Sequence, residues 1–266
     1  MSFRTQFAHY DSSTATYITD VNNTTGVTTT PYKAQYAMNQ VFSKIKRVYL
    51  KSLECPVGFS NIRTGSTNVF SFVLNGTAYK VTLSEKNYTN MSTLLTDLTT
   101  ACVGVVSGVT MTFSLTSSLT TPNRVLITFT GATTTSSFSV IDTSNLSKYI
   151  LGFRASKDVL SGGVYSASYS NFNLNPDNYI LMYIPSLNGM NASMSGQQST
   201  FKIPLNTVSN QVYFYQEESS FAQWVDITDK ALTLSSIIVI LTDKFGKDLN
   251  PSGLDYSFTL AIELFN

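Results

Sequence analysis

Near its last residue the sequence runs Tyr256-Ser257-Phe258-Thr259-Leu260-Ala261-Ile262-Glu263-Leu264. In an extended chain Phe258, Leu260, Ile262 and Leu264 lie on one face, and the intervening Ser257, Thr259, Ala261 and Glu263 lie on the other. A period of two over nine residues predicts a β-strand with one face against a core.

The same pattern recurs upstream at regular spacing, interrupted by Asn, Gly and Pro. Six further strands are predicted in the C-terminal third, at 163–171, 179–184, 200–205, 211–215, 224–227 and 234–241. A long strand is predicted from Val41 to Leu53, ended by Cys55-Pro56. Strands at this spacing indicate a β-sandwich or a jelly roll rather than a parallel α/β sheet.

Residues 67–153 are predicted to form a self-contained β-rich module. Two strands flank Asn75-Gly76, the pair most typical of a two-residue hairpin turn. A short helix is predicted from Asn90, which can cap it, with its leucines on one face. Strands at 109–115, 125–130 and 138–141 follow, and a helical turn at 146–153 is stopped by Gly152.

These patterns divide the chain into four segments. Residues 1–38 are predicted to be an extended polar arm, because the Asn- and Thr-rich run at 22–31 has little to bury. Residues 39–66 then begin the jelly roll, 67–153 form the inserted module, and 154–266 complete the jelly roll.

Composition narrows the classes of function. Charged residues make up only 12% of the chain and the formal net charge is +1. The densest basic group, Lys44, Lys46, Arg47 and Lys51, lies on a predicted strand, where a solvated or interface face explains it better than a phosphate-binding patch. No nucleic-acid partner is therefore predicted. A near-neutral charge favours dense self-association.

The two cysteines, Cys55 and Cys102, lie in apolar surroundings and are predicted to be small buried hydrophobes. They imply no disulfide framework, which fits a reducing compartment. We expect neither a signal peptide nor a membrane span. Chance explains the Asn-x-Ser/Thr sequons in a chain this rich in Asn, Ser and Thr. They fall at Asn22, Asn23, Asn75, Asn87, Asn90, Asn145 and Asn191.

Residues for catalysis are scarce. His9 is the only histidine, so Ser-His-Asp and Cys-His nucleophilic sites and paired-histidine zinc sites are excluded. The sequence contains no glycine-rich phosphate loop. A glycosidase that uses two carboxylates stays open, and its best candidates are Glu217, Glu218, Asp226 and Asp229. A solvated loop explains these acids better. We predict no catalytic, cofactor-binding or metal-binding residues.

Two other candidate sites have simpler explanations. Asp226 with Asp229, or Asp243 with Asp248, can offer oxygen ligands to calcium, but neither pair has the spacing of a calcium loop, and turn-forming aspartates fit better. Trp224 and the run Tyr213-Phe214-Tyr215 can stack on a sugar. Core packing or packing between subunits is the more common role of aromatics at strand positions.

The C-terminal segments resemble a known family. A strand at 234–241 leads into a turn of the form Leu-Thr-Asp-x-x-Gly-x-x-Leu at 241–249 and then into Tyr256-Ser257-Phe258-Thr259-Leu260. The module's entry at 79–89 and its Leu151-Gly152-Phe153 end add to the likeness. The whole is similar to the penton-type minor capsid proteins of virophages, polinton-like viruses and related large DNA viruses.

This resemblance implies a single jelly roll that stands at the fivefold vertices of an icosahedral capsid. It implies a homopentamer that contacts the major capsid protein and possible further minor capsid proteins. It also implies a location in the virion after synthesis in the host cytoplasm, and no active site. The alternative is a receptor-binding or fibre head that binds glycans as lectins do, through Trp224, Tyr213 or Tyr215.

Overall fold

The computed structural model describes residues 3–20, 28–116, 124–131, 138–140, 145–153, 164–166, 171–175, 177–187, 191–192, 198–205, 211–217, 223–227, 232–249 and 255–265. The strands, in chain order, are β1 (Phe3–Asp11), β2 (Thr16–Asp20), β3 (Thr28–Phe42), β4 (Ile45–Pro56), β5 (Val69–Leu74), β6 (Thr77–Thr82), β7 (Thr110–Leu115), β8 (Val125–Thr130), β9 (Phe138–Val140), β10 (Val164–Ser166), β11 (Tyr179–Tyr183), β12 (Asn191–Ala192), β13 (Gln198–Ser199), β14 (Phe201–Pro204), β15 (Val212–Gln216), β16 (Val225–Asp226), β17 (Leu234–Thr242) and β18 (Ser257–Phe265). Within the described residues, the other elements are one α-helix, α1 (Met91–Cys102), two 3₁₀ turns (Ser12–Thr14 and Pro185–Leu187) and a short π-helix (Leu146–Ile150).

The chain divides into a first unit, residues 1–59 and 177–266, and a second unit, residues 60–176. In the first unit β1-β18-β4-β15 form the first sheet, with β16 also paired to β4, and β14-β11-β17-β3-β2 form the second sheet. All pairs are antiparallel.

The pairing in the first unit is nested. β1 pairs with β18, β3 with β17, β4 with β15, and β11 with β14. Joining β18 to β4 and β17 to β11 places these eight strands in two four-stranded layers. A long hairpin wound into two sheets in this way is a jelly roll. The fold is therefore an all-β single jelly-roll sandwich, and a β-rich module with a short helix interrupts its sequence between β4 and β11.

An aromatic cluster forms part of the sandwich core. Tyr10 of β1 stacks on Phe258 of β18 at 4.9 Å between ring centroids, and Tyr36 of β3 meets Phe258 edge-on at 5.2 Å. Phe258, Leu260 and Ile262 are almost completely buried in this core, which confirms the inward face predicted for the last strand.

The prediction of an arm at residues 1–38 is wrong for the residues described there. Phe3–Asp11 pairs along its whole length with β18, and Thr28–Phe42 forms the strand next to β17. The composition misled because both strands face the core with few large apolar side chains. Among the side chains of β1 that the structure describes, only Ala8 and Tyr10 pack there.

The single strand predicted from Val41 to Leu53 is also wrong, because the chain turns at Ser43-Lys44. β3 ends at Phe42 and β4 begins at Ile45. Lys44 adopts a positive φ of 56°. Positive φ is uncommon for residues other than glycine, so a lysine at this position does not predict a turn.

The described residues of the second unit form two three-stranded sheets, β6-β5-β9 and β10-β8-β7, and the helix α1. The Asn75-Gly76 hairpin is confirmed: Leu74 pairs with Thr77, and both turn residues have positive φ, 48° and 80°. The helix cap is confirmed as well, since the Asn90 side chain accepts a hydrogen bond from the Ser92 amide at 2.7 Å.

The second unit extends beyond the predicted module of 67–153 on both sides. On the N-terminal side the Asn61 side chain bonds the backbone of Tyr88. On the C-terminal side β10 pairs with β8, although the sequence assigned this strand to the jelly roll. Both contacts join residues that are far apart in the sequence, and such contacts leave no local sequence pattern. The predicted boundaries of the module are therefore too narrow. No helix of the described residues is long and apolar enough to cross a membrane.

Candidate functional site

Two of the predicted carboxylate candidates, Glu217 and Asp226, lie along one edge of β4. The backbone amide of Glu217 bonds the carbonyl of Lys51 at 2.9 Å, and Asp226 pairs with Arg47. Four residues of β4, about 13 Å of strand, separate these two attachment points. Glu218 and Asp229 lie outside the described residues. The described residues therefore place Glu217 and Asp226 on the same edge without forming a carboxylate pair.

Asp243 is a turn residue, as the sequence favoured. It is fully buried, and its Oδ1 accepts hydrogen bonds from the amides of Phe245 at 2.8 Å and Lys247 at 2.9 Å. Asp248 is exposed and bridges to Thr242. The Asp243 oxygen is thus used by the backbone, and no cluster of three or more metal-ligating side chains occurs within the described part of the chain.

The aromatic run of β15 is divided between two faces. Tyr213 is buried in the core and Tyr215 packs against it, whereas Phe214 points outward with 67% of its surface exposed. The exposed ring is therefore the one that has no hydroxyl. The two tyrosines considered for glycan binding pack in or against the sandwich core, so their rings are used for packing.

Trp224 covers the outward face of β4, the face opposite the core. Its ring lies 4.3 Å from that of Tyr49, edge-on, and the Arg47 guanidinium lies 3.9 Å from the centroid of the Trp224 ring. Arg47 also pairs with the Glu263 carboxylate, which Lys46 approaches at 3.5 Å. Arg47 thus takes one face of the ring that a sugar would need.

The same contacts explain why Ala261 and Glu263 are buried although their strand turns them away from the core. Ala261 lies between Phe7 of β1 and Tyr49 of β4 in the register of the sheet. Burial, with a smaller contribution from the Glu217 carboxylate, raises the pKa of Tyr49. The outward face of the first sheet is therefore partly apolar.

Members of the predicted basic group are held by the protein's own acceptors. Lys46 and Arg47 contact Glu263, and the Lys51 ammonium donates to the carbonyl of Glu217 at 2.9 Å. Lys44 is exposed in the turn between β3 and β4. Three of the four basic side chains therefore contact acceptors of this chain.

The histidine, the two cysteines and several of the sequon asparagines have defined structural roles or environments. His9 lies in β1, where its Nδ1 is 3.0 Å from the Thr259 hydroxyl. Cys55 and Cys102 are buried free thiols, and burial raises the pKa of each to about 12. Of the sequons, Asn75 is a turn residue and Asn145 donates to the carbonyl of Ser66. Asn22 and Asn23 fall outside the described residues.

The strongest functional feature is a pair of exposed apolar edges. Among the described residues six large hydrophobic side chains are exposed, and three of them belong to the terminal strands of the first sheet. Phe7 lies on β1 at one edge, and Val212 and Phe214 lie on β15 at the other. Phe7 lies in the segment for which the sequence predicted an arm; the available signal was that Thr5, Phe7 and His9 alternate with Ala8 and Tyr10.

No protein-family model matches the sequence, and no curated protein matches it. Among solved structures the chain is similar to the crystal structure of the selenomethionine-labelled mavirus penton protein. The identity is 12% and the TM-score 0.42, with 97% of this chain and 99% of that chain covered. Values this low do not transfer the role of that protein to this chain. The jelly roll is established by the strand pairing of the first unit.

Proposed function

We propose that this chain is a structural virion protein, a penton-type minor capsid protein rather than an enzyme. In this proposal five copies surround each fivefold vertex of an icosahedral capsid and contact the major capsid protein. The interrupting module, residues 60–176, is then the part available to a host surface or to another capsid protein.

One observation carries the proposal: the C-terminal segments that resemble penton-type proteins are the closing strands of a single jelly roll. β17 belongs to the second sheet and β18 to the first, and the segment between them begins with the turn that Asp243 organises. Jelly rolls of eight strands are a recurrent architecture of viral shells. The exposed apolar edges support a role in assembly, since such side chains on a sheet edge mark contact surfaces.

The alternative of a lectin-like head has less support. Tyr213 and Tyr215 pack against the core, and Arg47 covers one face of Trp224. A glycan array that compares the wild type with Trp224→Ala tests it directly. Glycan binding that is lost in Trp224→Ala would favour the lectin, and we expect no binding by either protein.

Mass photometry and sedimentation velocity of the purified chain test the main proposal, and we expect a closed pentamer. Cryo-electron microscopy of the particle should then show five copies of this jelly roll at each vertex. A chain that stays monomeric at high concentration and is absent from the particle would contradict the proposal.

A further inference from the structure

We propose that the two edges of the first sheet are the two halves of one head-to-tail contact between copies of this chain. β1 of one copy lies beside β15 of the next copy. This inference rests on the proposed shell role, because it names the surface through which the copies join.

Both edges are open in the described part of the chain. There β1 pairs only with β18, and β15 pairs only with β4. A cleft of about 620 Å³ runs beside β1, lined by Tyr10 and by Met38 and Gln40 of β3. An uncovered edge strand that carries exposed apolar side chains is a surface ready to pair with another strand.

The strand directions fit a ring. The order β1-β18-β4-β15 is antiparallel at each step, so β1 and β15 run in opposite directions. Rotation about an axis parallel to the strands keeps the direction of every strand. β1 of one copy therefore meets β15 of the next as an antiparallel pair, and such heterologous contacts can close into a ring.

The direction in which the backbone hydrogen-bonding groups of the two edge strands point also agrees with this contact. The amide of Ser12 bonds the carbonyl of Tyr256, which lies directly opposite, so in β1 the alternate residues Phe7 and His9 direct their backbone groups outward. On β15 the amide of Glu217 bonds Lys51, so Val212 and Phe214 direct theirs outward. Among the described residues, those that expose apolar side chains on these two strands therefore also direct backbone groups away from any paired strand.

The register follows from placing the two exposed rings opposite each other. When Phe7 faces Phe214 of the next copy, Thr5 faces Gln216 and His9 faces Val212. The same register brings Arg4, which is exposed, opposite Glu217, so that a positive side chain meets a negative one. The pairing of apolar side chains, the pairing of opposite charges and the direction of the backbone groups therefore all support the same register.

Mixing two variants tests the head-to-tail arrangement. Phe7→Asp damages one edge and Phe214→Asp damages the other, so each variant alone should stay monomeric where the wild type assembles. An equimolar mixture retains one intact contact per pair of copies and should therefore give a one-to-one dimer by mass photometry. The control is Val103→Asp, at a side chain that is 69% exposed in the second unit; it should assemble as the wild type does.

Cysteine pairs test the register. The variant with Thr5→Cys and Gln216→Cys in one chain should form disulfide-linked ladders under mild oxidation, because facing residues in this register lie about 5.5 Å apart at Cα. The control with Thr5→Cys and Val212→Cys is displaced by four residues, about 13 Å along the strand, and should not form ladders.

The outcomes separate this contact from the proposed function. Circular dichroism and thermal unfolding should show that the Asp variants, changed at exposed positions, remain folded. Wild-type assembly that survives both Phe7→Asp and Phe214→Asp, or a mixture that yields no dimer, overturns the contact but leaves the shell role standing. A wild-type chain that never self-associates overturns both.

Discussion

At the scale of single residues, Asp243 combines complete burial with an organised turn. Its Oδ1 accepts two backbone hydrogen bonds, from Phe245 and Lys247. Removing the carboxylate leaves the buried Phe245 amide and the part-buried Lys247 amide without this acceptor, and the loss for a buried donor is about 1–3 kcal/mol. We expect Asp243→Ala to lower the free energy of unfolding in urea by about 2–4 kcal/mol.

The neighbouring Asp248 provides the matched control. It lies in the same turn but is exposed, so Asp248→Ala should change stability by no more than about 0.5 kcal/mol. Equal effects of the two substitutions would mean that the Asp243 hydrogen bonds do not stabilise the turn.

The buried thiols predict a loss of stability in alkaline solution. Burial raises the pKa of Cys55 and Cys102 from 9.0 to about 12. Between these values the unfolded chain releases thiol protons that the folded chain keeps, so the free energy of unfolding falls as pH rises. The slope is at most about 1.4 kcal/mol per pH unit for each thiol.

Urea unfolding at about pH 8 and about pH 10.5 measures this slope. The double variant Cys55→Ala, Cys102→Ala should be less stable overall but should show a shallower decline. Part of the decline should remain, because burial also raises the pKa of Tyr10 and Tyr88. An unchanged slope in the double variant would exclude the thiols as its source.

At the scale of elements, substitutions at two glycines of the second unit distinguish the cost of backbone strain from the cost of a steric clash. Gly76 closes the β5–β6 hairpin with φ 80°, and a Cβ there would have no neighbour within 4 Å. Gly131 follows β8 with φ 95°, and a Cβ there would lie 2.7 Å from the carbonyl oxygen of Gly108. We expect Gly76→Ala to cost about 1–2 kcal/mol, which is strain alone, and Gly131→Ala to cost more.

Thermal unfolding of the two variants under the same conditions shows which substitution destabilises the protein more. A Gly76→Ala variant that is less stable than Gly131→Ala would show that the backbone near Gly108 moves to relieve the clash.

At the scale of the whole molecule, the nested pairing makes the first strand part of the fold and not an appendage. β1 covers one edge of β18 for nine residues, and Tyr10 joins the aromatic cluster with Tyr36 and Phe258. Deleting residues 1–11 exposes Phe258 and removes the buried Tyr10. We expect this deletion to lower the free energy of unfolding by more than about 3 kcal/mol.

Urea unfolding followed by tyrosine and tryptophan fluorescence checks this expectation on the truncated chain. A dispensable arm would instead leave the midpoint and the slope of the transition unchanged. That result would mean that the β1–β18 pair contributes nothing to the stability of the jelly roll.

Several features of the fold depend on neighbouring residues and are predictable from the sequence alone. Alternation in residues 256–264 predicted a strand and its inward face, Asn75-Gly76 predicted the hairpin, and Asn90 predicted the helix cap. Each of these depends on a few neighbouring residues, through side-chain period, positive φ or a capping hydrogen bond. The resemblance in the C-terminal third added the expectation of a single jelly roll, which the strand pairing bears out.

Which distant strands pair depends on the tertiary fold and is not encoded in any local pattern. Phe3–Asp11 is polar enough to be taken for an arm, and it becomes a strand because β18, about 250 residues later, supplies its hydrogen bonds. The same pairing turns Phe7 outward at one edge and leaves Phe214 outward at the other. The candidate contact surface is therefore a property of the closed sheet, since no local pattern records which strands end as its edges.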